Sequence, residues 1–164
     1  MRLNAISLAN YFIDIASSNR MNIYQIGLMK RVYFTHGFCL AILNKSALDP
    51  RFDVVEAWKN GPVIPSVYHS FKHFKDNNIT EKSFFVTDIK PDGEIVTETP
   101  ILEDIDVKKI AEFVWRRYLE VSDFDLVQLT HRKGTPWFLC YKEGTNNPIP
   151  DLYTELFYKK LIKK

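Results

Sequence analysis

Apolar residues recur at helical spacing over residues 5–17, AISLANYFIDIAS. Ile6, Ala9, Ile13 and Ala16 share one stripe, and Ser7, Asn10, Asp14 and Ser17 share another, the pattern of an amphipathic helix. SSNRMN then reads as a loop. Residues 23–44, IYQIGLMKRVYFTHGFCLAILN, are apolar on most faces, with only Gln25, Lys30, Arg31 and His36 as sparse polar interruptions. A helix of that kind is the buried centre of a bundle. Gly27 and Gly37 weaken it locally, and either admits a neighbouring helix at close range.

Residues 54–60 are expected to form a short helical segment stopped by Gly61-Pro62, because the residue before proline avoids helical angles and proline cannot continue the hydrogen-bond ladder. Pro65 stands where a first helical turn tolerates it, and PSVYHSFKHFK places Val67, Tyr68, Phe71 and Phe74 on one stripe. The expectation for 54–74 is therefore helix, rigid break, helix. After Asn78 the period changes. SFFVTD and EIVTE are short and rich in aromatic or β-branched residues, and IKPDG joins them as a turn, so 83–99 is expected to be a β-hairpin. A lone hairpin is marginal in water, so this one should pack on helices or pair with a third strand.

Helical spacing returns over 104–121, with Val107, Ile110, Ala111, Val114 and Tyr118 on one face. Ser122, with Asp125 three positions on, is an N-cap signal for a helix through DFDLVQLTHR that stops at Gly134. Pro136 opens a short segment, PWFLCYK; EGTNNPIP reads as a loop, and DLYTELFYKKLIKK as a final helix. The pattern defines a predominantly helical α+β fold, a compact bundle with a small antiparallel hairpin, in a single domain over 1–164 with no repeats or linker.

Composition adds limits. The 164 residues are 46% apolar and 26% charged, enough for a core without disulfides or metal. The net charge of +2 gives no electrostatic case for nucleic acid, and the one basic run, YKKLIKK, suits a helix C-terminus. Cys39 and Cys140 lie on apolar segments with no metal-ligand spacing and are expected as free thiols in a reducing compartment. No signal peptide is read at the N-terminus and no apolar run is read as a membrane span, so a cytoplasmic location is expected.

Catalytic and cofactor motifs are sparse. His69 and His73 are four apart on one helical face, but the segment HSFKH lacks the glutamate of a zinc motif and is flanked by lysine, so a solvated face is expected. THRKGTPW brings Thr130, His131 and Trp137 together in sequence without a third orienting group, and reads as a helix end with Trp137 as an apolar plug. No nucleophile elbow, dinucleotide fingerprint or phosphate loop occurs. No zinc-finger spacing occurs either; a helix-turn-helix among the short helices is the one nucleic-acid form left open.

Four segments resemble a known family. They are ANYFIDIA (9–16), LMKRVYFTHGFCLAI (28–42), EAWKNGPVIPSVYHSFK (56–72) and LTHRKGTPW (129–137). The third is the most specific: Ala57, Trp58, Gly61, Pro62, Val63, Pro65, Val67, Tyr68, Phe71 and Lys72 match a pattern of the form AW-YGPV-P-VY--FK. In the fourth, Leu129, Thr130, His131, Pro136 and Trp137 match LTH---PW. On these residues the chain resembles the Panacea family of SocA-like antitoxins, which includes phage-associated GepA-type proteins. Arg31, Val32, Phe38-Cys39 and Asn60 depart from the family pattern.

The resemblance implies a non-enzymatic antitoxin that binds and neutralises a cognate toxin protein encoded nearby, with no cofactor. An alternative within the family is an adaptor that delivers the toxin to an ATP-dependent protease. A phage-related regulatory or nucleic-acid-binding protein is a third reading. Neither a membrane nor a nucleic acid is the expected partner, and the oligomeric state is left open. The residues expected to carry the family motif or the partner surface are Trp58, Gly61, Pro62, Val63, Pro65, Tyr68, His69, Lys72, Thr130, His131, Pro136 and Trp137. Of these, Trp58, Pro62 and Trp137 are expected to pack where the two motifs meet, and Tyr68, His69, Lys72 and His131 to reach the surface.

Overall fold

The computed structural model describes residues 4–163. Seven helices and five short strands follow one another among the described residues: α1 (Ala5–Ser18), α2 (Gln25–Phe38), β1 (Glu56–Trp58), β2 (Gly61–Val63), α3 (Pro65–Phe71), β3 (Phe85–Ile89), β4 (Ile95–Glu98), α4 (Ile105–Arg117), α5 (Asp123–His131), α6 (Pro136–Cys140), β5 (Asn147–Pro148) and α7 (Asp151–Ile162). The predominantly helical α+β reading therefore holds.

Helix α2 is the axis of the bundle, with α1, α4, α5 and α7 packed around it. Every residue from Gly27 to Phe38 is buried, which accounts for a sequence apolar on all faces. The helix widens into a π turn over Cys39–Leu43 and ends at Asn44 in the left-handed region, which Asn tolerates. Contrary to the sequence expectation, the stretch Gln25–Leu43 does have the length and apolar character of a membrane span. It is 78% buried within the bundle, as the central helix of a packed fold is.

Two glycines set the approach of α2's neighbours. A Cβ on Gly27 would lie 2.5 Å from the Asp123 carboxylate of α5, and one on Gly37 would lie 2.4 Å from the Tyr158 ring of α7. Phe38 packs edge-on to Phe113 and Tyr158, with centroids 5.2 and 4.8 Å apart, and so joins α2, α4 and α7. His36, fully buried, holds Asp151 at the start of α7 across 2.9 Å.

The segment 54–60 is not helical. Glu56–Trp58 pairs antiparallel with Gly61–Val63 in a tight hairpin, and β5 adds to the other edge of β1, giving the order β2-β1-β5. The turn at Lys59-Asn60 leads into Gly61 at φ 108°, a conformation that favours glycine. The chain therefore reverses where a helix was expected to break, and three residues per strand are too few to display a period. EGTNNPIP is likewise not all loop, since Asn147-Pro148 forms β5.

Ser7 and Asn10 are buried, not solvated as their stripe suggested. Ser7 closes a capping box with Asn4 at the start of α1. The Asn10 amide donates to the Ser83 and Pro100 carbonyls at 2.9 and 3.1 Å, and its oxygen accepts the Ser83 N–H at 2.9 Å. One side chain thus staples both feet of the β3–β4 hairpin. That hairpin forms as expected over 85–98, but among the described residues it pairs with no third strand, and all five residues of β3 are exposed. The Ser122 cap is also present, accepting the Asp125 N–H at 3.1 Å.

Candidate functional site

The third and fourth motifs meet in space. Helix α5 ends at His131, the chain turns through Gly134, and Thr135 caps α6 by accepting the Phe138 N–H. The Thr135 hydroxyl donates to the carbonyls of Thr130 and Arg132, both at 2.8 Å, which fixes the turn. Pro136 takes the first helical position and directs Trp137 inward. The indole N–H of Trp137 donates to the Trp58 carbonyl at 2.6 Å and so joins α6 to β1. His131 lies flat on one face of Trp137, centroids 3.8 Å apart and planes 6° from parallel, and Tyr141 stacks on the same indole at 4.6 Å.

Trp58 extends the junction outward. Its ring meets Tyr68 of α3 edge-on at 5.0 Å, and its N–H donates to Glu56 at 2.7 Å. Gln25 donates to the Tyr68 carbonyl and ties this wall to α2. Gly61, Pro62 and Val63 are buried in β2, and a Cβ on Gly61 would press on the Thr130 hydroxyl at 2.7 Å and the Lys30 amine at 2.9 Å. Among the expected residues, Trp137, Pro136, Thr130 and Gly61–Val63 are buried, and Trp58, Pro65, Tyr68 and His131 are half-buried. His69 and Lys72 are exposed, with the His69 ring edge-on to Tyr68.

Between these walls opens a recess of about 390 Å³, lined by Tyr24, Met29, Lys30, Trp58, Val63 and Tyr68 among others. Lys30 was noted in the sequence only as a polar interruption of α2. It is 2% exposed, and its amine donates to the Pro62 carbonyl at 3.0 Å. Burial pushes its pKa down to about 7. Burial, and then the charge of Lys30, push the His131 imidazole below its ordinary value, and its buried Nε2 has no hydrogen-bond partner among the described residues.

Asp123, also on the recess, is raised by burial, with Arg31 and the Gly27 N–H acting in the opposite direction. Arg31 is itself buried, donating to the Gly27 and Tyr118 carbonyls and lying over the Trp115 ring. The signal that would have found Lys30 and Arg31 is their position: two cations on a helix with no solvent face.

The recess offers apolar and aromatic walls with the buried Lys30 amine among them, and Lys59, Lys75, Asp76 and Asp123 also on its lining, which suits an apolar side chain carrying a polar group. Burial pushes the Cys39 thiol up to about 12 and the Cys140 thiol upward as well, the opposite of an activated nucleophile. Among the described residues, no group of three or more His, Cys, Asp or Glu side chains is placed to hold a metal ion.

These features define a predominantly helical α+β domain in which two sequence motifs meet beside a recess lined by the 56–72 motif and α2. The chain belongs to the SocA-like antitoxin family: the family model for Antitoxin SocA-like, Panacea domain, matches residues 28–138, a span that contains both motifs. It is similar to Antitoxin SocA of Caulobacter vibrioides (strain NA1000 / CB15N), with 30% identity over 145 residues that cover 88% of this chain and 74% of that protein. No solved structure matches the chain. Membership in an antitoxin family implies a toxin as partner in general terms.

Proposed function

We propose that this chain neutralises a cognate toxin encoded beside it by direct protein–protein binding, without catalysis of its own. The observation that carries the reading is the antitoxin-family match over both motifs. The recess supports it, because a half-buried Trp58–Tyr68 wall over an open apolar hollow is the kind of feature that receives an anchor side chain at an interface.

The test is to express the adjacent reading frame alone and with this chain, score growth, and purify through a tag on this chain. Toxicity alone, rescue together and a stable co-purified pair are the expected results. Rescue in which the neighbour disappears, and reappears when an ATP-dependent protease is deleted, would replace neutralisation by binding with delivery to proteolysis. A neighbour harmless by itself would overturn the reading.

A further inference from the structure

The β3–β4 arm stands out from the bundle with its apolar residues uncovered. Val86, Ile89 and Ile95 are 54%, 65% and 59% exposed. Cross-strand partners share a face, and so do alternate residues of one strand. Ile89 opposes Ile95 and Val86 opposes Thr97, while Ile95 and Thr97 are two apart on β4. All four therefore lie on one face. In an unbroken strand, Val86 and Ile89, three apart, would point to opposite faces. The register shift between Val86 and Asp88 inserts one extra residue and brings them together.

The opposite face carries Phe85, Asp88, Val96 and Glu98 by the same rule. Near the feet, Phe85 and Glu98 line a recess of about 690 Å³ with Ile6 and Phe52 of the bundle. One face of the arm thus leans toward the body, and the bulge collects aliphatic residues on the face turned away. A two-stranded hairpin is marginal in water, and a flat, apolar, open-edged one invites association. The Asn10 staple holds this arm in place, and among the described residues none buries Val86, Ile89 or Ile95.

Charge indicates the occupant. Residues 85–98 hold four carboxylates (Asp88, Asp92, Glu94, Glu98) against one amine, Lys90, which pairs with Glu94, a net charge of −3 in a chain whose total is +2. Asp88 and Glu98 lie on the face toward the body, so Asp92 and Glu94 at the turn are the carboxylates beside the outer face. Two arms meeting face to face would set like charges against each other, whereas a basic partner is attracted. We propose that the outer face of the arm, built by Val86, Ile89 and Ile95, is the docking surface for the toxin, which meets it with an apolar patch rimmed by Lys and Arg. The proposal rests on the toxin-binding reading above.

The experiment measures affinity for the purified adjacent-gene product using three variants of the whole chain. Ile89→Lys/Ile95→Lys replaces the apolar face with amines and cuts the arm's net charge from −3 to −1. Ile89→Thr/Ile95→Thr removes the apolar surface while keeping good strand formers, so the arm stays folded. Leu156→Lys makes the same kind of change on the exposed side of α7.

All three should melt like the wild type. The two arm variants should bind about 30-fold more weakly or worse, as loss of a hot spot does, and Leu156→Lys should bind normally. Arm variants that bind as tightly as the wild type would overturn the proposal and leave the toxin-binding reading intact. A wild-type chain that captures no adjacent-gene product would overturn both. A wild-type oligomer, free of toxin, that the arm variants convert to monomer would overturn the proposal in favour of a second copy of this chain.

Discussion

Replacing Lys30 with Met keeps the side-chain length and removes the charge. In the folded chain this amine is 2% exposed, donates one hydrogen bond, and has its pKa pushed from 10.5 down to about 7 by burial. Between pH 7 and 10.5 the unfolded chain holds a proton that the folded chain gives up, so stability rises with pH across that window. The destabilisation is full below pH 7 and gone above 10.5. At pH 7 it amounts to roughly 4–5 kcal/mol, and between pH 7 and 9 stability should recover by about 2 kcal/mol.

Lys30→Met lacks this titration, although it leaves the Pro62 carbonyl without its donor, a fixed cost of about 1–3 kcal/mol. The assay is urea unfolding followed by circular dichroism on both chains at pH 6, 7, 8 and 9. Subtracting the two curves cancels every other titrating group. The wild type should gain about 2 kcal/mol on the variant from pH 7 to 9, with little change from pH 6 to 7. Parallel curves would refute the reasoning, because they would mean that the amine keeps its water in the folded recess.

Trp137→Ala removes an indole stacked between His131 and Tyr141 and bonded to the Trp58 carbonyl; it should cost about 3–5 kcal/mol, read as a lowered melting midpoint. Asn10→Ala deletes three hydrogen bonds at the feet of the arm and should destabilise by at least about 2 kcal/mol, with hydrogen exchange faster across 83–99 than in α2. Gly37→Ala places a methyl 2.4 Å from the Tyr158 ring. It should cost about 1–3 kcal/mol in chemical denaturation, although alanine is the better helix former by about 1 kcal/mol.

Much of this fold is legible in the sequence because the signals are local. The apolar wrap of α2, the Ser122 cap and the Pro-Asp-Gly turn act within a turn or two of their own position. The hairpin at 56–63 was misread because its three-residue strands are set by partners, and β5 joins β1 from about ninety residues away. Ser7 and Asn10 read as a solvent stripe, but the bonds that bury Asn10 reach 73 and 90 residues along the chain. The two motifs that meet at the Trp137–Trp58 bond were each visible alone. The bond from Trp137 to Trp58 that unites them, and the amine of Lys30 beneath, follow only from the packing of α2 against β2 and α5.

The position of α2 has a consequence for synthesis. This helix leaves the ribosome well before its cover: His36 waits for Asp151, 115 residues further on. At translation speeds of about 5–20 residues per second, the α7 side of this apolar helix stays open for roughly 6–23 seconds. Until α7 docks, the nascent chain presents that side of α2 to solvent, the condition in which chaperones and proteases act. A chain ended at Pro150 should remain in that condition, binding a hydrophobic dye that the whole chain does not.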